Sequence, residues 1–427
     1  MTKQEKSWIL YDVANSAFVL IMVTAVMPVF FKSVAAEGMN AAESTSVWGY
    51  SVSAAALITA ILAPFLGSYG DFRGRKMKIF RFFLTCGITG TLAIALVPPG
   101  AWIACSLLFI CAKMSWASAN IFYDSFLTDV TVPEKMDRVS SYGYAWGYIG
   151  SVVPFTAVIV ILLNSGDEPT LVSYRISFII TALWWLILSV PIIRNVKQVH
   201  WVDPGQKPIR ESIEKLAATL MNVRRYRSAF IFLIAYFFYI DGVDTIISMA
   251  AAYGLDAGMG TASLILALLM IQILAFPFAL LYGRLAEKFS AKNMITAGII
   301  VYIIITGAAF FLPAIKTSAG KNIMFWALSF MVATSMGGIQ ALSRSYFGRI
   351  IPPEKSAEFF GLYNIFGRFA AIIGPFFMGV ATALTGDSRY GLLCILLLFI
   401  AGLAILRAGT AGTGSPETTA SSSVPRG

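Results

Sequence analysis

Apolar residues run through this chain in stretches of about twenty, each closed by charged residues or by Gly and Pro. A stretch of that length is what an α-helix needs to cross a hydrocarbon layer about 30 Å thick. Divided at that punctuation, the sequence predicts helices near 8–31, 46–67, 77–97, 101–127, 139–163, 172–193, 228–253, 261–284, 293–313, 322–347, 358–384 and 389–407. The longest polar segment falls between the sixth and the seventh. The expected organisation is therefore a six-helix bundle over 1–193, a central loop over 194–227, a second six-helix bundle over 228–407 and a flexible tail over 408–427. The tail is rich in Gly, Ser and Thr and ends Ser-Val-Pro-Arg-Gly, as a tag remnant does, so it carries no part of the fold argument.

Composition narrows the class. Of 427 residues 58% are apolar and 13% charged, the reverse of what a water-soluble surface requires. The chain reads as an all-α membrane protein with twelve transmembrane helices. Its Lys and Arg residues sort by side: only Lys32, Arg175, Lys316, Lys321 and Arg389 fall in one set of loops, and only Lys113 and Arg368 lie deep within spans. The others gather at the termini, in the central loop and in the remaining loops, which places both termini in the cytoplasm by the positive-inside rule. The net charge of +10 forms no stripe suited to nucleic acid. Cys86, Cys105, Cys111 and Cys394 sit in apolar stretches and His200 is the one histidine, so neither a metal nor another cofactor is expected. Spaced apolar residues from Ile209 to Val223 fit either a helix lying on the anionic inner leaflet or a solvated tether.

The two halves echo one another. Gly67-Ser-Tyr-Gly-Asp71-Phe-Arg-Gly-Arg75-Lys76 follows the second helix, and Gly283-Arg-Leu-Ala-Glu287-Lys-Phe-Ser-Ala-Lys292 follows the eighth, 216 residues on. Pro133-Glu134-Lys135 and Pro353-Glu354-Lys355, with Gly147 and Gly367 beyond them, repeat at an offset of 220. Two matches at equivalent positions argue for a duplicated six-helix unit. Glycine permits close approach, and an acid can bond a facing helix N-terminus. Gly67, Asp71, Arg75, Gly283, Glu287 and Lys292 are thus the expected cytoplasmic gate. Topology alone accounts for the basic members, but it does not call for Asp71 or Glu287.

The first of these loops resembles the major facilitator signature Gly-x-x-x-Asp-x-x-Gly-Arg-Lys. Trp8-Ile-Leu-Tyr11-Asp12-Val-Ala-Asn15-Ser16-Ala-Phe18, Tyr239-Ile-Asp241-Gly242-Val-Asp244-Thr245, Gly337-Gly-Ile-Gln340-Ala-Leu-Ser343-Arg344-Ser345 and Glu358-Phe-Phe-Gly361-Leu-Tyr363 are similar to the branch of autophagy-related vacuolar amino-acid effluxers and their bacterial relatives. The resemblance spans both halves. It implies a major facilitator fold of two pseudo-symmetric six-helix bundles, a monomer in a bacterial inner membrane, and a central cavity lined by the first, fourth, seventh and tenth helices.

A charge near the bilayer centre costs a few kcal/mol unless it finds a partner or water. At 1.5 Å per residue, Lys113 lies about 18 Å into its span, Asp241 and Asp244 about 20 and 24 Å into theirs, and Arg368 about 15 Å into its own. With Asn15, Gln272 and Asn364 at similar depth, they are the candidate substrate and proton site. Two carboxylates three residues apart share a helix face and should not both stay charged when dry, which makes Asp241 or Asp244 the expected proton-coupling group. Lys113 and Asp241 could instead form a fixed ion pair. Asp12, Asp124, Asp129 and Arg344 sit toward the cytoplasmic ends and are assigned to gating or salt bridges.

The reading is a secondary transporter of a small zwitterionic solute such as an amino acid, with protons and membrane lipids as its other partners. Efflux of amphipathic compounds, or a receptor or scaffold without transport, are the rivals. No nucleophile, base and orienting group occur at spacings that specify an enzyme.

Overall fold

The computed structural model describes residues 1–166, 169–205, 208–221, 225–256, 259, 261–387 and 389–409, so the tail lies almost wholly outside the described residues. Among them, twelve helices are long and apolar enough to cross a membrane. The first span is Lys3–Ala35. The second to sixth helices are Ala41–Gly70, Lys76–Ile94, Trp102–Ser125, Met136–Leu163 and Leu171–Asn195. The seventh to twelfth are Arg227–Asp256, Thr261–Phe289, Ala291–Phe310, Ser318–Ile350, Ser356–Thr385 and Arg389–Ala408. Exposed side chains such as Ile61, Leu107, Leu163, Phe376 and Leu397 make an apolar outer surface that only lipid can cover.

Capping chemistry sets the helix starts more than hydropathy does. The first helix begins five residues ahead of its apolar run because Thr2 Oγ1 accepts from Glu5 N at 3.1 Å while Glu5 Oε2 accepts from Thr2 N at 2.7 Å. Asn40 and Glu43 repeat the exchange at the head of the second. Within the first span, wide π turns over Val19–Ala25 and Phe31–Ala35 flank Pro28. The proline ring cannot sit under an ordinary turn and offers no N–H, and the wider turns absorb both faults.

The helices close around two apolar cores. One is built on Trp8, Phe18, Phe80, Tyr123 and Trp185, the other on Tyr239, Tyr302, Phe347 and Phe399. The halves meet where the second helix packs along the eleventh and the fifth packs along the eighth and tenth. This exchange is symmetric: a Cβ on Gly67 would lie 2.2 Å from Ala357 O, and one on Gly283 would lie 2.7 Å from the Ser141 side chain.

The central segment is docked to the protein. Val202 N donates to Asp71 O at 2.9 Å and Arg73 N to Val202 O at 3.1 Å, a single bridge between Phe72 and Val202. A helix follows over Pro208–Met221. Ser68 Oγ donates to Ser212 O, Lys355 Nζ to Thr219 Oγ1, and Lys215 lies 4.3 Å over the Phe72 ring. The polar face of this helix therefore meets the protein, while Ile209, Ile213 and Met221 on the other face are exposed.

Candidate functional site

One face of the molecule carries both ends of the described chain and most of the Lys and Arg, and there the halves are sealed. Asp71 ends the second helix, and its carboxylate takes the first amides of the eleventh: Ala357 N to Oδ1 and Glu358 N to Oδ2, each at 2.9 Å. Helix N-termini leave such amides unpaired and carry partial positive charge, so an acid is the fitting cap. Burial nevertheless pushes the Asp71 carboxyl up to about 8, against the pull of the Lys76 ammonium and the two amides. Beside it Lys76, fully buried, donates at 2.8 Å to Asp129 Oδ2 and at 2.8 Å to Ser356 Oγ in the other half. Asp129 Oδ1 accepts from Val199 N and His200 N, both at 2.9 Å, tying the central segment to the same cluster.

The two copies of the repeated loop are not used alike. Gly67 and Asp71 touch the opposite half directly. Arg75 instead lies 5.3 Å over the Tyr69 ring of its own half. Gly283 approaches Ser141, but Glu287 is exposed and has no ion pair or hydrogen bond among the described residues. Lys292 lies within electrostatic reach of Arg407, in its own half. Both glycines of the repeat approach the opposite half, but only the first acid is engaged, because the eleventh helix presents its bare N-terminus to Asp71 while Glu287 is exposed.

A second layer lies deeper. Arg344 of the tenth helix bonds Asp12 Oδ2 at 3.1 Å, Asp124 Oδ1 at 3.3 Å and Ser140 Oγ at 2.9 Å, reaching the first, fourth and fifth helices at once. Its guanidinium sits between the rings of Trp8 and Tyr144, at 4.6 and 4.4 Å. Asp137 accepts from Ser345 Oγ and from Arg349. Neither Asp137 nor Arg349 stands out in the sequence; the available signal was the repeated Pro-Glu-Lys segment, which Asp137 follows in the first half and Arg349 precedes in the second.

Toward the midplane the character changes. Lys113 and Arg368 come from opposite halves and lie within electrostatic reach of one another, and neither forms an ion pair among the described residues. Lys113 is only 9% exposed. Arg368 lies 5.8 Å over the Trp116 ring, and its Nε is buried without an acceptor. Trp116 Nε1 donates to Asn15 Oδ1 at 3.2 Å, and Asn15 Nδ2 lies 3.4 Å from Asp12 Oδ1. Asn364 Nδ2 donates to Asp124 Oδ2 at 3.3 Å. A polar chain thus runs from the Lys113 and Arg368 pair through Asp124 to Arg344.

The other candidates are placed differently. Asp241 is fully buried, accepting from Gly374 N at 2.8 Å and Thr245 Oγ1 at 3.4 Å. A Cβ on Gly374 would lie 2.0 Å from Thr245 Oγ1, so this contact with the eleventh helix requires glycine. Asp241 therefore faces into the second half, and the ion pair with Lys113 is not formed. Asp244, half-buried, turns toward the boundary between the halves, within electrostatic reach of Tyr144, Tyr148, Tyr236 and Tyr302. Asp241, three residues earlier, is within electrostatic reach of it, yet the two carboxyls see different surroundings. Gln272 lines an apolar cavity of about 150 Å³ whose walls come from the second half alone, with its Oε1 unbonded. It is separated from the Lys113 and Arg368 pair.

Comparison with known proteins gives a consistent picture. Residues 37–417 match the family described as "Vacuole effluxer Atg22 like". The chain is 43% identical over 410 residues to "Uncharacterized MFS-type transporter YxiO" of Bacillus subtilis (strain 168), covering 95% of this chain and 94% of that one. It is 28% identical over 287 residues to "Autophagy-related protein 22-1" of Penicillium rubens, covering 63% of this chain and 48% of the fungal one, so it spans about half the length of such relatives. In three dimensions it is similar to the major facilitator superfamily transporter FucP, with a TM-score of 0.70 at 14% identity over 95% of this chain and 97% of that one.

Proposed function

This chain belongs to the Atg22-like family of the major facilitator superfamily, an integral membrane secondary transporter of major facilitator fold, and from that premise we propose that it carries a small zwitterion such as an amino acid, coupled to protons. The observation that carries the proposal is that Lys113 and Arg368 come from opposite halves, lie within electrostatic reach of one another and form no ion pair among the described residues. A substrate carboxylate completes that pair. The ammonium group is directed toward Asp244 and the ring faces of Tyr144 and Tyr148, where cation–π attraction adds to the charge. Asp244 is the proton-coupling group in this reading, because it borders the space between the halves, whereas Asp241 is held by its Oδ1 to Gly374 and Thr245 within the second half.

The geometry also supports a link to the gate. Arg368 is within electrostatic reach of Asp124, and Asp124 is bonded to Arg344. A carboxylate arriving at Arg368 changes the charge balance one residue away from the seal, which is how binding at the midplane can bias closure. With the positive-inside orientation the sealed face is cytoplasmic and both termini lie in the cytoplasm, in a bacterial plasma membrane, with the monomer as the working unit. Amphipathic efflux is less well supported: the apolar cavity beside Gln272, about 150 Å³, is smaller than the roughly 300–1,000 Å³ that small-molecule sites occupy.

Counterflow of labelled amino acids into vesicles holding the purified protein tests the reading. Lys113→Gln and Arg368→Gln should each weaken substrate binding at least tenfold. Asp244→Asn should retain exchange but lose accumulation driven by a pH gradient. Undiminished exchange by both cation variants would rule the site out.

A further inference from the structure

A second group of cations lies outside the transport path. Where the third helix begins and the sixth ends, Arg73, Arg81, Arg194 and Lys197 line one cleft of about 370 Å³, with Gln198 and Trp201 in its wall. The cleft is a built one. The bridge between Phe72 and Val202 holds its two sides together, Gln198 Nε2 donates to Gly70 O and Asp71 O at 3.3 Å, and Arg81 Nη2 donates to Ile193 O at 2.9 Å. Arg73 lies 5.0 Å over the Trp201 ring. Among the described residues none of the four cations has a carboxylate within ion-pair distance.

Scattered basic residues are expected on this face, but topology does not gather four around one cavity or seat an indole among them. Guanidinium forks match the oxygens of a phosphate, and a cleft of this volume admits a small phosphate ester. Gln198 Oε1, in the same wall, is buried and unpaired, and a rotation of the side chain would offer that acceptor to a ligand hydroxyl. The outer faces of the third and sixth helices beside the cleft carry exposed Phe82 and Ile187, so it opens where lipid meets water. We infer that the cleft binds a hydroxyl-bearing phosphate ester, the chemistry shared by an anionic glycerol-type lipid headgroup and a soluble glycerol phosphate.

Binding to the full chain in detergent, followed by native mass spectrometry and by the thermal midpoint, separates the two sources. The probes are phosphatidylglycerol, phosphatidylcholine and free glycerol 3-phosphate. Phosphatidylglycerol should bind at least tenfold more tightly than phosphatidylcholine. That margin should fall at least tenfold in Arg194→Gln/Lys197→Gln and persist in Lys3→Gln/Lys6→Gln, which removes the same charge from the same face. Arg194→Lys/Lys197→Arg should restore it, which guards against a merely misfolded variant. Saturation by glycerol 3-phosphate with no preference for phosphatidylglycerol assigns the cleft to the soluble ester. Equal binding of phosphatidylglycerol and of glycerol 3-phosphate by wild type and Arg194→Gln/Lys197→Gln, or an equal loss in the Lys3 and Lys6 control, overturns the inference. None of these readouts depends on transport.

Discussion

Arg344 makes four hydrogen bonds to Asp12, Asp124 and Ser140 while three aromatic rings, those of Trp8, Tyr123 and Tyr144, surround its guanidinium. An ammonium cannot replace it, because a single point charge reaches one carboxylate at a time. Arg344→Gln leaves Asp12 without a cation and Asp124 with only the more distant Arg368, and should cost about 3–5 kcal/mol of stability in this conformation, seen as a lower thermal midpoint. Arg344→Lys should keep most of the stability and lose at least tenfold in exchange rate, measured in reconstituted vesicles. That Arg344, Asp12 and Asp124 lie toward one end of their helices was legible from counting residues. Which of the midplane carboxylates faces the boundary was not: Asp241 and Asp244 are three residues apart, and only the packing of the eleventh helix, with glycine at position 374, decides that Asp241 turns away.

At the level of elements, the union of Asp71 with the N-terminus of the eleventh helix makes the seal sensitive to pH, and the direction follows from linkage. With the seal closed, the Asp71 carboxyl is held up at about 8 by burial, opposed by Lys76 and by the amides of Glu358 and Ala357. Once parted and hydrated, it returns to about 4. The closed form thus binds the proton more tightly, so acidifying from pH 8 toward 4 should favour closure by up to about tenfold per pH unit, and alkaline pH should favour opening. Spin labels placed across the seal on exposed positions should report this, and Asp71→Asn should flatten the dependence over that window. The repeated motif made the loop visible in the sequence. Its spacing fixes where each copy lies, but it cannot say whether a facing helix start is within reach, and so Asp71 and Glu287 looked equivalent when only the first is engaged. The bridge from Val202 to Phe72 was hidden for a similar reason, since a single pair of backbone bonds leaves no periodic trace.

For the molecule as a whole, the number of spans and their division into two halves were written in hydropathy, because lipid allows no other way to satisfy so much apolar backbone. The sorting of Lys and Arg marked one face as different. What that face does required coordinates: among the described residues, the hydrogen bonds and ion pairs between the halves gather on the basic side of the midplane, with Asn364 and Tyr148 at their inner limit. Gly67 and Gly361 let main chain meet main chain there, with a Cβ on either falling 2.2 Å from Ala357 O or 2.6 Å from Ala63 O. Contact of that kind has no give, since a carbonyl in a helix cannot swing aside as a side chain can. A single added methyl, Gly67→Ala, acts as a doorstop: it should leave the fold intact and hold the two leaves ajar on the basic side, read as faster labelling of a cysteine placed at Ser140 and as slower turnover. The same absence of slack makes two hydrogen atoms, one on each glycine, a condition of the closed arrangement, and a chemist wanting the opposite posture can begin by changing one of them.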